Sequence, residues 1–402
     1  MERMKGSVPR TNKRRNPRAL PLPSGARLRD FQRRLLTWFD HRKRALPWRE
    51  TSDPYRIWIS EVMLQQTRVA AVLPYYHRFL KRFPTVRALA RAPEESVLEA
   101  WAGLGYYSRA RNLQRAAQEI VSKHHGKFPK TLDEALALPG VGHYTAAAVL
   151  SLAYSVPLAV LDGNVARVIA RLSATRGDVR EPAKWRGLQA AADALLPPAA
   201  IGTPGAWNQS LMELGATVCT PRAPACPECP ISRFCHARAQ GLQNEIPQKG
   251  TKPAPVAVRL AAAVLLDPQR RTLLVLPNDR AAGALFSRMW QFPAVPAATM
   301  GAEAALRRHL RDTLGIEPAE CLALPATRHT VTFRRITLLP FLIPVDELPA
   351  PWQAGDARGE NTQLPLEEVE SRPASSATKK IARAGLRGTD ISVCPSVPRS
   401  QN

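Results

Sequence analysis

Residues 138–153 read LPGVGHYTAAAVLSLA. Gly140 and Gly142 permit a tight hairpin, because glycine enters backbone conformations closed to other residues. The alanine-rich run behind them predicts a helix beginning near Tyr144. Amides exposed at the start of such a helix make an anion site, able to hold a phosphate without regard to sequence. An ordinary helix–turn–helix connection would use the same residues. Twenty residues past Gly142 lies LDGNVARVIARL, residues 161–172. Its apolar spacing predicts another amphipathic helix, with Asp162 as the N-cap and Asn164 just inside.

Upstream, residues 58–67 read WISEVMLQQT, and Glu61 is the one charged residue among them. On a helix, Glu61 shares its face with Ile57, Trp58, Leu64 and Gln65, which is mostly apolar. A carboxylate buried there without a partner is costly, and burial raises its pKa so that it keeps a proton near neutral pH. A protonated acid beside an ionised carboxylate is the pair that cleaves glycosidic bonds through an oxocarbenium-like state. Asp162 is the candidate partner. A salt-bridged or snorkelling glutamate would carry none of this chemistry.

Residues 219–235, CTPRAPACPECPISRFC, place Cys219, Cys226, Cys229 and Cys235 with gaps of six, two and five residues. Four thiolates on one compact loop suit a tetrahedral metal or a cubane cluster. Zinc sites more often pair two CxxC knuckles; a single CxxC leans modestly toward iron–sulfur. Cys321 and Cys394 stand apart, so an intracellular metal or cluster site fits better than a disulfide framework. A clipped loop would also fix Arg222, Arg233 and His236 as a positive surface.

The 402 residues are 45% apolar and carry a formal charge of +24, which allows two or three domains and favours a polyanion partner, nucleic acid before anionic membrane. No apolar run nears the roughly 20 residues that span a bilayer, and the N-terminus lacks the apolar stretch of a secretory signal. Residues 1–26 are expected to form a disordered basic arm. Helical spacing runs through residues 27 to about 218, as in TRVAAVLPYYHRFLKRF and RARNLQRAAQEIVSKHHG, and the cysteine loop closes a first domain expected over residues 27–246. Polar, proline-rich residues 247–254 mark a linker. Residues 255–386 change texture: VAVRLAAAVLLD, RTLLVLP and RRITLLPFLIPV predict strands, and AALRRHLRDTLG a helix, of a small α+β domain. Residues 387–402 are expected as a disordered tail.

In order and spacing, LPWRETSDPYRIWISEVMLQQTRVAAVLPYYHRFLKRFPTV, WAGLGYYSRARNL, LPGVGHYTAAAV, LDGNVARV and the cysteine loop resemble the helix-hairpin-helix DNA glycosylases with a 4Fe-4S loop, and among them the adenine DNA glycosylases of MutY type. The resemblance is dense from about residue 30 to 240 and thinner to about 386. It implies a mainly α helix-hairpin-helix domain, a C-terminal α+β Nudix-like domain, and one 4Fe-4S cluster on the four cysteines. It implies a monomer that excises adenine mispaired with 8-oxoguanine or guanine in double-stranded DNA. A bacterial cytoplasm, with the enzyme on the nucleoid and no membrane partner, is the matching expectation.

The resemblance also assigns roles. Glu61 matches the residue that protonates the adenine. Asp162 matches the carboxylate that stabilises the sugar cation, by charge or by transient bonding. Tyr144 and Asn164 match residues that orient this pair. Trp48, Arg49 and Val69 lie in segments lining the adenine pocket. Gln66, Thr67, Leu104 and Tyr106 match residues that wedge into the duplex or contact the 8-oxoguanine, and Gly140 and Gly142 belong to the phosphate-holding hairpin. The endonuclease III branch shares this architecture but carries a Schiff-base lysine where this chain has Tyr144, which points to a monofunctional enzyme. In the Nudix-like part, His309, Asp312 and Thr313 stand where a hydrolase needs three glutamates, too few carboxylates for its metal. Where the family's 8-oxoguanine reader commonly has Phe-Ser-His, this chain has Val331, Thr332 and Phe333. Thr332 keeps a hydroxyl, and His329 or Arg334 could take over the missing histidine's role.

Overall fold

The computed structural model describes residues 20–392 apart from 249, 251–253, 278–288, 298–300, 332, 353–355 and 357. In chain order come helices α1 (Gly25–Arg42), α2 (Pro54–Leu64), α3 (Val69–Arg82), α4 (Val86–Arg91), α5 (Glu94–Trp101) and α6 (Ser108–Lys123). They are followed by α7 (Leu132–Leu136), α8 (His143–Tyr154), α9 (Gly163–Leu172), α10 (Pro182–Ala194), α11 (Pro204–Thr217) and α12 (His236–Ala239). The remainder comprises β1 (Val256–Leu266), β2 (Arg271–Pro277), β3 (Ala294–Pro296), α13 (Ala302–Leu314), β4 (Leu322–Ala323), β5 (Thr327–Val331), β6 (Arg334–Pro344), β7 (Gly359–Pro365) and α14 (Ser376–Ser392). The fold class is therefore as expected: a helical part followed by an α+β part.

The chain gathers in two compact units. One takes residues up to 61, 128–137 and 141–250; the other takes 62–127, 138–140 and 251 onward. The helical stretch 27–246 thus contributes to both. In the first unit, α9 is the central element. Residues from Val165 to Leu172 are buried without exception, and a helix enclosed on every side belongs in a core. Val165, Val168 and Ile169 pack with Phe31 and Leu35 of α1, with Trp207, Leu211 and Leu214 of α11, and with Ile231 and Phe234 of the cysteine loop. The chain stays anchored past the helices: Ile246 is buried, and Gln248 bridges to Asp178, inside the stretch expected as linker.

In the second unit, the helices α3 to α6 lean on aromatic contacts such as Phe79 against Trp101, 5.8 Å apart and edge to face. The α+β part holds a five-stranded sheet in the order β3-β1-β6-β4, with β5 also on β6, and a separate β2–β7 pair. β1 and β6 run parallel over their whole length, and both are nearly continuous apolar runs, as strands covered on both faces must be. α14 covers one face through Ala377, Ile381 and Ala382. α13 covers the other through Leu306 and Leu310. This is the layered arrangement expected of a Nudix-like domain. Two boundaries differ from expectation. α1 begins at Gly25, just inside the expected arm, and α14 continues to Ser392, six residues into the expected tail. Buried apolar residues on its earlier turns start a helix that polar residues then extend.

Candidate active site and cysteine loop

α2 starts where Asp53 Oδ1 accepts the Tyr55 amide at 2.9 Å, with Pro54 at the first helical position. The helix buries Ile57, Trp58, Ile59 and Met63, and Glu61 is buried with them at 3% exposure. Tyr144, the second residue of α8, is half-buried and donates its hydroxyl to Glu61 Oε2 at 2.7 Å. Asp162 is the N-cap of α9. Its Oδ1 accepts the amides of Asn164 (2.9 Å) and Val165 (2.7 Å), and its Oδ2 accepts the Asn164 side-chain amide at 3.0 Å. The structure therefore brings together the four residues expected to be catalytic, all within the first unit.

Their electrostatics divide the two carboxyls. Burial pushes Glu61 up from 4.5 to about 7; the Tyr144 hydrogen bond and the Arg49 charge oppose the rise, and the Asp162 charge adds to it. Burial also raises Asp162, but the Val165 and Asn164 donors and the Arg167 guanidinium stabilise its anion. Tyr144 is held well above its ordinary range by burial and by the charges of both carboxyls, so it remains a donor. Glu61 is thus ready to give a proton near neutral pH, while the donors around Asp162 oppose the rise that burial causes there.

Trp48 is 5% exposed. Arg49 reaches Glu213 Oε2 at 2.7 Å and lies 5.4 Å from the Phe39 ring centre. Glu213 on α11 is fully buried, and Arg44 binds it through two further 2.7 Å contacts. Those guanidinium hydrogen bonds outweigh burial and hold Glu213 down at about 2. Glu213 escaped the sequence reading, although an acid inside SLMELGA of an apolar helix is the same signal that singled out Glu61.

Two further residues were missed. Arg167 and Arg171 are buried on α9, at 8% and 2% exposure. Arg167 donates to the Cys219 carbonyl (2.8 Å), the Gly215 carbonyl (2.8 Å) and Asn164 Oδ1 (2.9 Å). Arg171 donates to the carbonyls of Thr220 (2.7 Å) and Ile246 (2.8 Å) and to Cys219 Sγ at 3.2 Å. One helix therefore carries Asp162 at its head and two arginines that hold the start of the cysteine loop. Cys219, Cys226, Cys229 and Cys235 are all free and partly buried. Burial, reinforced by the charges of the other three, pushes the Cys229 thiol up to about 12. Among the described residues no group of three or more His, Cys, Asp or Glu closes on one ion. Four cysteines on one loop are the donor set that a metal ion or an iron–sulfur cluster takes. Arg222, Arg233 and His236 are exposed, as expected, and Arg233 pairs with Asp30.

The hairpin glycines differ from each other. Gly140 has φ +73°, and a Cβ there would strike the Asn112 side chain. Gly142 is the N-cap of α8 with φ −90°, open to any residue, and no side chain caps that helix. In the second unit, Gln66 (φ +57°) and Tyr106 (φ +49°) hold left-handed backbones. Arg109 locks both loops. Its guanidinium donates to the carbonyls of Val62 (2.9 Å), Met63 (3.0 Å), Gln65 (2.6 Å), Leu104 (3.2 Å) and Gly105 (3.1 Å) and to Thr67 Oγ1 at 3.4 Å. Of the four residues expected to wedge into the duplex or contact the 8-oxoguanine, Tyr106 is 52% exposed and presented, whereas Leu104 is 8% exposed. Val69 is the first residue of α3. His329 on β5 lies 3.4 Å from the Ser376 hydroxyl, and burial, with the Lys380 charge, lowers its pKa. Thr332 lies outside the described residues. Among those described, no helix is long and apolar enough to cross a membrane.

Residues 59–189 match the family model of HhH-GPD superfamily base excision DNA repair proteins. The adenine DNA glycosylase of Homo sapiens is 33% identical over 426 aligned residues, covering 92% of this chain and 76% of the relative. That of Mus musculus is 33% identical over 404, covering 88% and 77%. A solved thermostable thymine-DNA glycosylase is 30% identical at a TM-score of 0.48, over 53% of this chain and 97% of its own.

Proposed function

The chain belongs to the adenine DNA glycosylases, base excision repair enzymes that hydrolyse an N-glycosyl bond in DNA, and from that premise we propose that it removes adenine opposite 8-oxoguanine or guanine and leaves an intact abasic site. The observation that carries this reading is the buried Glu61 carboxyl, bound by Tyr144 and raised to about 7 beside Asp162. Adenine leaves poorly as an anion. Glu61 delivers a proton to its N7 as the bond to C1′ breaks. The cation that develops at C1′ is met by the negative charge of Asp162, which Asn164 and the head of α9 hold in place. Water then takes the sugar carbon. Tyr144 orients Glu61 and carries no amine; neither do His143 and Thr145, so nothing in this segment forms a Schiff base.

We assign Cys219, Cys226, Cys229 and Cys235 to one 4Fe-4S cluster, in line with their spacing on one loop and with the family to which the chain belongs. Bound there, it ties the loop to the fold through the thiolates. The glycosylase domain takes residues 27–246, and a Nudix-like domain over 255–386 reads the mispair. That domain binds without hydrolysing: burial lowers the pKa of His309, so it stays neutral where a hydrolase would offer a carboxylate. The enzyme works as a monomer on mispaired double-stranded DNA of a bacterial nucleoid.

The test uses a duplex with one adenine opposite 8-oxoguanine, labelled on the adenine strand, under single-turnover conditions. A nick only after hot alkali is expected. A nick without alkali would overturn the monofunctional reading, and no nick in either lane would overturn adenine excision.

A further inference from the structure

Strands β1, β6 and β5 lie side by side. Their registers set Arg259, Thr337 and Arg328 in one row and Ala257, Arg335 and Thr330 in the next. Directly paired residues and those two positions apart share a face. This is the face on which α13 packs further along, against Ala261, Ala263 and Phe341. Past that cover the sheet is bare: Arg259, Arg328 and Arg335 are exposed. Several other arginines of the α+β part are paired with carboxylates, as Arg271 is with Asp267, Arg307 with Glu303, Arg358 with Asp356 and Arg383 with Glu370. Among the described residues, Arg259, Arg328 and Arg335 have no such partner. Strand spacing sets Arg259 and Arg328 roughly 10 Å apart, with Arg335 about 7 Å further along the sheet. At the open end of this face stands Phe333, where β5 turns into β6. It is 48% exposed; the Arg334 guanidinium lies 5.5 Å from its ring, and its carbonyl is anchored by the Val256 amide at 2.9 Å.

We propose that this bare sheet face is a DNA-backbone contact, with Arg259, Arg328 and Arg335 on phosphates of one strand and Phe333 stacked on a base at the edge. The proposal rests on the DNA reading above and extends it to three arginines with no assigned part, beside Phe333 of the segment aligned with the family's 8-oxoguanine reader. Three unpaired guanidiniums on adjacent strands face a polyanion with one charge per about 3.4 Å of each strand. An exposed aromatic ring bordered by arginines is the stacking platform for an unpaired base.

The test measures dissociation constants of the full chain against salt concentration. For a fully paired duplex, the combined variant Arg259→Ala, Arg328→Ala, Arg335→Ala lowers the log–log salt slope by about 3, close to 0.9 for each phosphate no longer neutralised. The triple lysine variant restores the slope, and both melt with the wild type, because the three side chains are exposed. Phe333→Ala weakens binding of a duplex holding an adenine–8-oxoguanine mispair about 5-fold or more, with the slope unchanged. A triple alanine variant that keeps the wild-type slope overturns the proposal. So does one that instead loses binding of a poly-glutamate peptide, which would assign the face to an acidic protein. Adenine release by the wild type, followed in the same samples, separates the two readings: a fallen slope without adenine release would sink the proposed reaction and leave this surface standing.

Discussion

Glu61→Gln should make the protein more stable while removing its activity. Burial lifts Glu61 from 4.5 to about 7, and each pKa unit corresponds to about 1.4 kcal/mol. The folded state therefore binds this proton more tightly than the unfolded chain does. That contribution is fully present below about pH 4.5 and is lost as pH rises toward 7. At pH 8 the fold carries an ionised carboxylate in an apolar setting at a cost of about 3 kcal/mol, and at pH 5 the cost is only about 1 kcal/mol. Glutamine fills the same volume, still accepts from Tyr144 and has no charge to desolvate. Urea melts of wild type and variant, followed by tryptophan fluorescence at both pH values, should show the variant's advantage growing with pH. An equal gain at pH 5 and pH 8, or none at pH 8, would refute the claim that burial sets this carboxyl's proton affinity. Adenine excision by the same variant should fall by roughly 100- to 10,000-fold, the usual worth of a positioned proton donor.

Substitutions at three other positions separate roles. Tyr144→Phe removes the hydrogen bond that pulls Glu61 down, so the limb of the excision-rate profile that falls with rising pH should move upward; a shift the other way would contradict the assigned direction. Asp162→Asn keeps a good N-cap, so its melting midpoint should stay near wild type while single-turnover excision drops at least about 100-fold; Asp162→Ala should lose in addition about 1 to 2 kcal/mol of cap energy. Near-normal excision by the asparagine variant would end the charge argument. Arg109→Lys cannot reproduce a fork to carbonyls on both loops, and mispaired-duplex binding should weaken about 10-fold or more, given about 1.5 to 3 kcal/mol for each charged hydrogen bond. An unchanged dissociation constant would mean that Gln66 and Tyr106 do not depend on the clamp.

What could be read in advance was local. The start of α9, its cap and the odd acid on α2 follow from spacing and residue type, because a helix writes its period and its N-cap into adjacent positions. The partners of Arg167, Arg171 and Arg109 did not show, since those contacts join segments about 50 residues apart. Periodicity also says little about a helix buried all round, where arginines at 167 and 171 look like an exposed stripe. The two glycines of LPGVG looked equivalent, yet only Gly140 needs to be glycine. The end of α14 was missed because its last turns carry no apolar stripe to mark them.

α9 joins these observations into one argument about why the site holds its shape. An N-cap aspartate is held by two helix amides and gains from the positive end of the helix. Burial works against that charge, and the donors at the helix head oppose burial. That head is braced from the side: Arg167 binds Asn164 Oδ1, which leaves the Asn164 amide nitrogen to face Asp162 Oδ2. The other Arg167 donors go to carbonyls at Cys219 and Gly215, and one turn later Arg171 takes Thr220 and Ile246. Loosening the cysteine loop would leave buried guanidiniums short of acceptors, at a cost of about 1 to 3 kcal/mol or more for each acceptor withdrawn. The cheapest relief is for Arg167 to turn away from Asn164. The loop's integrity and the donors that surround Asp162 are thus coupled through α9.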